Sequence, residues 1–500
     1  ALAAQLAELL GAEPVVTTAT DATGISPLDT YGAALGFRLA DRASVAAVTR
    51  ALLDGAPLRL LSDSAWPVPA LPPNVVPDPA PPPEAKRGPA PDRKPEAADE
   101  PAPEHDIAIT DRVGVPATVV FRPPSLVVGV GASRGAPADE IAALIDAALV
   151  DAGLAAESVR CLATADVKAG EPGIGELARR RGWSLVTHPA AALAAVDVPN
   201  PSEVVRAAVG TPSVAEAAAL LTARQHGRTA ELVAPKRASA MATAAIARLT
   251  PRGRLTVVGL GPGAADLMTP RAVAALRAAS IVVGLDSYVD QIRHLLRPGT
   301  RIEASGLGAE EARARTAAEL ATAGHAVALI GSGDAGVYAM ASPALEFAGA
   351  DVEVDSVPGI TAALAASSLL GAPLGHDHAY LSLSDLHTPW PAIEQRVRAV
   401  AEADLVACLY NPRSAKRNWQ LAKALGIFAA HRPPETPVGL VRDATRPGEQ
   451  VTVTTLAELA ADPSAVDMLT VVLVGASTTR TVAGRMVTPR GYRWMPGEAP

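Results

Sequence analysis

Short apolar runs alternate with amphipathic stretches after residue 125. The run "SLVVGVGASRG" predicts a buried strand that ends in a glycine turn, and "VRCLATADV" and "SLVTH" predict two further strands. Between the first two strands, apolar residues recur at helical spacing at Ile141, Leu144, Ile145, Ala148 and Leu149. Strands that alternate with helices in this way are typical of an α/β domain with a largely parallel sheet.

The helix boundaries of this region are predicted from its capping residues. Ser213 and Glu216 have the spacing of a capping box, which should open a helix that stops at Gly227. Further on, "AIARLTPRG" predicts the end of another helix, because Pro251 and Gly253 both interrupt helices.

A second α/β region begins near Leu255. Its predicted strands lie in "LTVVGL", "SIVVGL", "HAVALIGSG", "DVEVDSVPG", "DLVACLYNP", "PVGLVRDA" and "LTVVLVGAS". Nearly every strand ends in glycine, proline or a polar cluster. Ligands of open α/β sheets bind at the carboxyl ends of the strands, so the chemistry should lie where these clusters converge.

The clearest domain boundary is a proline-rich stretch. Fourteen prolines lie between Pro67 and Pro103, a composition that favours an extended linker over a packed core. A segment that binds a proline-recognising partner is the alternative, although no PxxP register repeats. The predicted divisions of the chain are residues 1–65, 66–106, 107–250 and 254–500.

Composition narrows the class of protein. The net charge of −8 argues against a general nucleic-acid binder, and no apolar run reaches the roughly 18 residues of a membrane helix. Cys161 and Cys408 stand far apart, a usage that suits a reducing cytoplasm and indicates neither a disulfide framework nor zinc. We therefore expect a cytoplasmic protein with no nucleic-acid or membrane partner.

The loop in "VVGLGPGAADLMTP" looks like a dinucleotide site but departs from its pattern. The glycines that start at Gly259 are spaced GxGxG, and Pro262 has no N–H to offer a phosphate. Thr269 followed by Pro270 is the best helix start, too late to direct the helix dipole at a phosphate beside the glycines. Dinucleotide binding and a simple tight turn are both weak interpretations of this pattern.

Two further clusters follow buried strands. In "GSGDAGVYAM", glycines allow close backbone approach to a ligand, and Asp334 could accept hydrogen bonds from hydroxyls or serve only as a helix cap. The third cluster, "VPGITAAL", offers Thr361 and backbone groups.

Together the three clusters resemble the tetrapyrrole methyltransferase family. "VGLGPGAADLMT" fits its first motif, "GSGDAGVY" fits its glycine loop, and "VPGITA" is present verbatim. The family binds S-adenosylmethionine between two α/β lobes, so the resemblance implies this cofactor. It implies cofactor contacts at Gly261, Pro262, Gly263, Gly331, Gly333, Asp334, Val337, Tyr338, Thr361, Ala362, Tyr410 and Asn411.

Four further blocks are similar to the precorrin-3B C(17)-methyltransferases of cobalamin biosynthesis. They are "SLSDLHTPW", "LYNPRSAKR", "LVRDATRPGE" and "DMLTVVLVGAS", and the likeness covers about residues 254 to 492. It implies methylation of C-17 of a precorrin with ring contraction, carried out by a homodimer. An NAD(P)-dependent oxidoreductase and a non-catalytic tetrapyrrole carrier are the alternatives.

A precorrin carries several carboxylates, so its pocket should present hydrogen-bond donors. Arginine suits bidentate binding of carboxylates, although ordinary solvated charge is an equally good explanation for any single basic residue. The candidate substrate-binding residues are Ser384, Arg413, Lys416, Arg442 and Arg446, with Arg417 beside them.

Ring contraction needs proton movement, for which Asp334, Asp377 and Asp385 are the candidate catalytic residues. His376 and His378 flank Asp377 and invite a metal interpretation, but no third ligand is evident, so we predict no metal.

The amino-terminal half resembles cobalt-precorrin-5A hydrolases. "VGVGASRGAPADEI" and "VAPKRASAMATAAIAR" match their C-terminal domain, and "PVVTTATDATGISPLDTYG" matches part of their N-terminal domain. Because the chain starts without Met, we expect the beginning of that domain to be missing. The resemblance makes Lys168, Glu171 and Lys236 candidates for a hydrolase site.

The predicted fold class is therefore α/β throughout. A two-lobed methyltransferase fold at the carboxyl end should follow a smaller hydrolase-like domain and a partial N-terminal α/β domain.

Overall fold

The computed structural model describes residues 19–78, 105–414 and 417–491. Its strands form four five-stranded sheets and one three-stranded sheet. Short 3₁₀ turns occur at Leu28–Thr30, Ala33–Leu35, Ala156–Ser158, Asp166–Lys168, Ala265–Leu267 and Arg293–Leu295. None of the described helices is both long and apolar enough to cross a membrane.

The first sheet draws strands from both sides of the proline-rich stretch. Its strands are β1 (Arg38–Leu39), β2 (Leu58–Ser62), β3 (Val75–Asp78), β4 (His105–Ile109) and β5 (Val119–Arg122), and its helices are Ala19–Thr23 and Val45–Leu53. The order is β1-β5-β4-β2-β3, with β1 antiparallel and the other strands parallel.

The strands of the first sheet cross the domain boundaries that the sequence predicted. β3 lies in the predicted linker 66–106, where its edge position tolerates Pro77 because an edge strand need not donate on its outer side. β4 and β5 fall almost wholly in the predicted domain 107–250, yet they pair into the first sheet. The first unit thus continues through β5. Residues 79–104 of the predicted linker, and the predicted segment before residue 19, lie outside the described residues.

The second unit has the predicted parallel strands and an additional hairpin. Its strands are β6 (Leu126–Ala132), β7 (Val159–Ala165), β8 (Ser184–His188), β9 (Thr229–Ala238) and β10 (Ala242–Thr250). Its helices are Ala138–Asp151, Pro172–Arg181, Ala190–Ala194, Glu203–Val209 and Ala215–His226. The order is β8-β7-β6-β10-β9, with β6, β7 and β8 parallel and β10 antiparallel to both neighbours.

Two predictions for this unit need correction. The helix end expected at "AIARLT" is wrong, because this stretch is β10, a central strand whose pairing between β6 and β9 overrides the helix preference of alanine. Only half of the capping box forms. Ser213 Oγ accepts from the Glu216 N–H at 3.3 Å, but the Glu216 carboxylate binds Asn200 and the Lys236 N–H instead of Ser213.

The third unit, which we call the first lobe, is fully parallel. Its strands are β11 (Gly253–Gly259), β12 (Ile281–Leu285), β13 (Arg301–Ser305), β14 (Ala326–Gly331) and β15 (Val352–Val357), in the order β13-β12-β14-β11-β15. Its helices are Pro270–Ala278, Asp286–Ile292, Glu310–Thr322 and Ala341–Phe347. All five strands end at one edge of the sheet, as the sequence predicted for a ligand site.

The second lobe completes the chain with a mixed sheet. Its strands are β16 (Gly371–Ala372), β17 (His378–Ser382), β18 (Val406–Tyr410), β19 (Pro437–Arg442), β20 (Gln450–Thr455), β21 (Thr470–Val474), β22 (Arg480–Val482) and β23 (Arg485–Val487). Its helices are Ala362–Leu370, Trp390–Glu402, Gln420–Ala429 and Leu456–Ala461. The larger sheet has the order β17-β18-β21-β19-β20, and β16, β23 and β22 form the small one.

Strand direction decides which residues of the second lobe reach the first lobe. β17 and β18 are parallel, whereas β21 runs antiparallel to both β18 and β19. The carboxyl ends of β17, β18 and β19 therefore share one edge with the amino end of β21. Ser382, Tyr410, Arg442 and Thr470 mark this edge.

A buried ion pair joins the first unit to the second. Asp111, which follows β4 and is 3% exposed, accepts two hydrogen bonds of 2.7 Å from the Arg248 guanidinium on β10. Ser125 Oγ donates a third, at 2.6 Å. The same guanidinium also contacts Glu231 at 3.1 Å, but that side chain is 68% exposed.

Replacing Asp111 by Asn should lower the free energy of unfolding by about 3 kcal/mol, because Arg248 then loses its buried carboxylate. The matched control Glu231→Gln removes the exposed partner of the same arginine and should cost less than about 1 kcal/mol. Calorimetric melting of both variants measures the difference. Equal melting temperatures would show that the pair does not hold the two units together.

Candidate functional site

Three glycine loops of the first lobe meet at backbone contact. They follow β11, β14 and β15, and Gly261 and Gly333 exchange backbone hydrogen bonds of 3.0 and 2.8 Å. A Cβ added to Gly359 would lie 2.1 Å from the Gly333 carbonyl oxygen and 2.7 Å from that of Gly259. No side chain fits between the loops, so glycine is required at their junction.

The helix after the first loop begins where the sequence predicted. Thr269 caps it by accepting the Ala272 N–H at 3.1 Å, and Pro270 occupies its first turn. A 3₁₀ turn, Ala265–Leu267, separates this helix from the glycines. The helix end is thus displaced from the loop, in agreement with the argument against a phosphate site.

Asp334 ties the second loop to the third. Its carboxylate accepts the Gly336 N–H at 2.8 Å and the Gly359 N–H at 3.1 Å. Asp334 does not line the space between the lobes. The structure therefore gives this candidate catalytic residue a positioning role, because both of its oxygens hold backbone groups of the loops.

Three tyrosines face each other where the lobes meet. Tyr410, at the end of β18, contacts Thr361 Oγ1 at 2.6 Å and accepts the Ala363 N–H at 3.0 Å. Tyr338 donates to the Tyr380 carbonyl at 2.9 Å, and its ring lies 5.3 Å from that of Tyr410. Burial raises the pKa of Tyr338 and Tyr410, and raises that of Tyr380 to about 12. All three hydroxyls therefore stay neutral near pH 7.

Between the lobes lies a cleft of about 230 Å³, which we call the inter-lobe cleft. The predicted cofactor residues that line it are Pro262, Gly333, Val337, Tyr338, Thr361, Ala362, Tyr410 and Asn411. Gly261, Gly263, Gly331 and Asp334 do not line it, but they belong to the loops that form its floor. The structure thus brings the three predicted clusters together with the end of β18.

Other lining residues were missed by the sequence argument. They are Tyr288, Ser332, Val441, Asp443, Ala444, Met468, Leu469, Thr470 and Val471. The last four precede or begin β21, whose amino end reaches the cleft because the strand is antiparallel. Apolar runs that end in glycine or polar residues mark the carboxyl ends of strands, and no local signal marks a strand as antiparallel.

Arg446 is the predicted substrate-binding residue that lines the cleft. Its Nε donates to the Pro262 carbonyl at 2.7 Å, and its Nη2 donates to Ser332 Oγ at 2.8 Å. A Cβ on Gly263 would lie 2.4 Å from Arg446 Cγ, so the arginine stem packs on this glycine. Arg446 therefore fastens the first two loops to the second lobe.

The other predicted substrate-binding residues lie outside the lining. Arg442 is paired with Asp467 at 2.9 Å and with Asp443 at 2.8 Å, and Arg413 donates to the Ser464 carbonyl at 3.0 Å. Ser384 follows β17 without contributing to the lining, and Lys416 lies outside the described residues. Of the described candidates only Arg446 lines the cleft, whereas Arg442 and Arg413 bind protein groups, and a substrate contact by either of them stays a prediction.

Two of the candidate catalytic carboxylates are distant or exposed. Asp377 precedes β17, whereas the cleft lies beyond the other end of that strand, roughly 16 Å away at ~3.3 Å per residue. Its side chain is 80% exposed and contacts His376. Asp385 is also exposed and accepts from Gln420 at 2.9 Å. Neither lines the cleft, so none of the three candidate catalytic carboxylates, Asp334, Asp377 and Asp385, belongs to its lining.

Among the described residues, no three His, Cys, Asp or Glu side chains form a group that could hold a metal ion. His378 Nδ1 contacts the His376 carbonyl oxygen at 3.0 Å, which is a local turn contact.

Comparison with known proteins identifies two families. The family described as Tetrapyrrole (Corrin/Porphyrin) Methylases matches residues 254–460, and Cobalamin synthesis G C-terminus matches residues 126–247. A probable cobalt-factor III C(17)-methyltransferase of Salmonella typhimurium is 49% identical over 244 residues, which is 48% of this chain and 99% of that protein.

Two more proteins are similar to the same half of the chain. The cobalt-factor III methyltransferase of Priestia megaterium is 42% identical over 249 residues, covering 48% of this chain and 46% of that protein. The crystal structure of the methyltransferase CobJ is 40% identical, with a TM-score of 0.45, and covers 47% of this chain and all of that one (100%).

The close contact of the glycine loops leads to a prediction about stability when one methyl group is added at Gly359. Gly359→Ala places a Cβ against two backbone carbonyls and should lower the free energy of unfolding by about 2–3 kcal/mol. Gly349→Ala is the matched control, since its Cβ would meet nothing within 4 Å, and its effect should stay within about 0.5 kcal/mol. Urea titration followed by circular dichroism compares the two variants. A Gly359→Ala protein as stable as the control would disprove the tight junction.

Proposed function

This chain belongs to the tetrapyrrole methylase family, and from that premise we propose that residues 254–500 transfer a methyl group from S-adenosylmethionine to C-17 of precorrin-3B or its cobalt analogue. The transfer would accompany ring contraction in cobalamin biosynthesis. The observation that carries the proposal is the inter-lobe cleft, where three glycine loops and the ends of two sheets converge.

The chemistry of the lining fits the proposed cofactor. Tyr338, Tyr410 and Val337 provide apolar surface for an adenine, while Thr361, Asn411 and loop backbone provide polar partners for a ribose and an amino acid. The volume of about 230 Å³ is below the ~300–1,000 Å³ of typical ligand sites. The complete donor should therefore extend beyond the cleft, along the open edge between the lobes.

Catalysis by these residues would consist mostly of positioning. S-adenosylmethionine supplies an electrophilic methyl group when bound, and transfer to carbon requires a near-linear approach. Asp334 and Arg446 hold the glycine loops in one arrangement, and the rings of Tyr338 and Tyr410 line the cleft beside them. This chain would therefore contribute mainly by fixing the donor and the ring carbon in line.

Proton movement during ring contraction needs a group in the cleft itself. Among its described lining residues, Asp443 carries the only carboxyl group. Arg442 Nη1 donates to Asp443 Oδ2 at 2.8 Å and so orients it. We propose Asp443, rather than Asp377 or Asp385, as the residue that accepts or returns a proton.

By family resemblance we propose a homodimer that acts in the cytoplasm, with the division between the second and third units near residue 252. The hydrolase activity implied for the amino-terminal half stays a prediction, supported by the match of residues 126–247 to the cobalamin synthesis family.

The first test separates the three classes of function. The protein should bind S-adenosylhomocysteine and not NAD in calorimetric titrations. Incubation with S-adenosylmethionine and precorrin-3B, or its cobalt analogue, should yield a product heavier by one methyl group together with S-adenosylhomocysteine. Binding of NAD alone would favour an oxidoreductase, and precorrin binding without any donor dependence would favour a carrier. Either result would end the methyltransferase proposal.

The second test concerns the acid–base residue. Asp443→Asn should lower turnover by about 10²-fold or more, the usual contribution of a general acid or base, while the affinity for S-adenosylhomocysteine stays within about twofold. Asp377→Asn is the control, and its turnover should match that of the unaltered protein. Rates measured across pH 6–9 distinguish a lost proton transfer from a misfolded loop. If the Asp377 variant is the slower one, the assignment is reversed.

A further inference from the structure

A cavity of about 550 Å³, which we call the junction cavity, lies where the first unit packs against the first lobe. The first unit lines it with residues between Ser26 and Leu35 and with Pro67 and Pro69, and the first lobe lines it from β11, β14, β15 and the helix Pro270–Ala278. Ligand sites occur preferentially at domain interfaces, with volumes of ~300–1,000 Å³. Among the described residues, none lines both this cavity and the inter-lobe cleft.

Two glycines of the first lobe hold the first unit in close contact. A Cβ added to Gly299 would lie 1.9 Å from the Leu71 carbonyl oxygen, and one added to Gly324 would lie 2.7 Å from Ala65 Cβ. Both glycines have a positive φ, of +85° and +100°, which glycine adopts without strain. A larger side chain would push the first unit away at either contact. The two walls of the cavity are therefore held in one arrangement.

The lining of the junction cavity is positively charged. Among the described residues that line it, Arg254, Arg271 and Arg297 carry guanidinium groups and Asp355 carries a carboxyl group. Three positive charges against one negative charge leave an excess of two, in a chain whose net charge is −8. A concave region of positive charge attracts anions.

The protein uses Arg297 for structure but leaves part of Arg254 unused. Arg297 donates to the Gly24 carbonyl at 3.0 Å and to the Arg277 carbonyl at 2.9 Å, so it ties the two walls together. Arg254 Nη2 contacts Glu353 at 3.5 Å, and Arg254 Nε is buried without a hydrogen-bond partner in the described ranges. Buried donors in folded proteins nearly always have an acceptor. The unpaired Nε therefore indicates an acceptor supplied by a bound molecule.

Arg271 has its hydrogen-bond donors available. It lies in the first turn of the helix Pro270–Ala278, and within the described part of the chain its side chain makes no hydrogen bond or ion pair. A guanidinium presents five N–H donors in a planar fork, which matches the oxygens of a carboxylate or a phosphate. Ala274, Ala275 and Ala278 of the same helix line the cavity, and their short side chains leave room for a ligand.

The first lobe also places hydroxyl groups and a carboxylate in this lining. Thr256 on β11 pairs in register with Asp355 on β15, and Ser356 is the next residue of β15. An ionised carboxylate only accepts hydrogen bonds, whereas a hydroxyl both donates and accepts. This part of the lining therefore suits the hydroxyl groups of a ligand, because they can donate to Asp355.

We propose that the junction cavity binds a small hydroxylated organic anion. Arg254 and Arg271 bind its acid group, and Asp355 accepts a hydrogen bond from its hydroxyl group. Carboxylates and phosphates both match a guanidinium in bidentate geometry, so either can be the acid group. Arg297 is a positioning residue, because its described bonds join the two walls.

The test titrates the full chain with two probes in a calorimeter at low salt. Citrate carries carboxylates and a hydroxyl group, and glycerol 3-phosphate carries a phosphate and hydroxyl groups. Arg254→Met and Arg271→Met should each weaken probe binding at least tenfold. Arg277→Met is the matched control, because Arg277 lies on the same helix as Arg271 without lining the cavity. Its probe affinity should be unchanged.

A second pair of variants tests the contact that closes the cavity. Gly299→Val drives a side chain against Leu71 and should also weaken probe binding at least tenfold. Gly308→Val is its control, because Gly308 has the same φ of +85° but its Cβ would meet nothing within 4 Å. The two variants thus share the backbone strain and differ in the contact with the first unit. Melting curves show whether each variant is folded.

The outcomes separate the sources of the acid group and the fate of the proposal. Arginine dependence for citrate alone identifies a carboxylate, and for glycerol 3-phosphate alone a phosphate, and either supports the site. Tricarballylate lacks only the hydroxyl group of citrate and should bind more weakly, so equal affinities would overturn the role of Asp355.

Three results overturn the site itself. They are the absence of saturable binding for both probes, an affinity insensitive to both Arg254→Met and Arg271→Met, and an equal loss in the Arg277 variant, which would reduce the effect to general surface charge. S-adenosylhomocysteine binding, measured in parallel, should not change in these variants. Failure of the methyltransferase proposal would therefore leave the result for the junction cavity intact.

Discussion

The contact between three glycine backbones is the constraint on which the methyltransferase half depends. Gly259 ends β11, Gly333 and Gly359 lie in the loops after β14 and β15, and a Cβ at Gly359 would lie 2.1 Å from a carbonyl oxygen. Because the loops touch, Asp334 can tie the second loop to the third, and Arg446 of the second lobe can bond the first and second loops. The floor of the inter-lobe cleft is therefore rigid backbone, and its selectivity must come from the side chains around it.

Strand direction then decides which side chains those are. The parallel strands of the first lobe end at one edge, as the sequence indicated, and segments that follow β11, β12, β14 and β15 line the cleft. In the second lobe β21 is antiparallel, so Thr470 and the residues before it reach the cleft from the start of a strand. An antiparallel strand thus brings its amino end, and the residues before it, to an edge where parallel strands bring their carboxyl ends. Arg442 and Asp443 lie at the same edge because Arg442 ends β19 and Asp443 follows it, and β19 is parallel to β18.

The sequence predicted the elements better than it predicted the roles of charged residues. The late helix start at Thr269, the glycine loops and the parallel strands are local patterns, and they are found as expected. Strand β10 was missed because alanine favours helix when tertiary pairing is unknown. Asp334, Arg413 and Arg442 were plausible ligand contacts, yet each binds groups of the protein. Whether a charge faces a ligand or a neighbouring loop depends on long-range contacts that no local pattern contains.

The same use of carboxylates recurs in the first lobe and in the second unit. Asp334 accepts the Gly359 N–H, and Glu216 accepts the N–H groups of Asn200 and Lys236, so each carboxylate holds backbone that is distant in sequence. A carboxylate that is saturated by donors in this way is poorly suited to proton transfer, but it fixes a loop more firmly than a neutral acceptor would. In both places the fixed backbone carries or adjoins polar side chains: Thr361 and Tyr410 beside the third loop, and Lys236 in the second unit. A carboxylate that holds backbone near other polar groups is thus a feature that the two halves share.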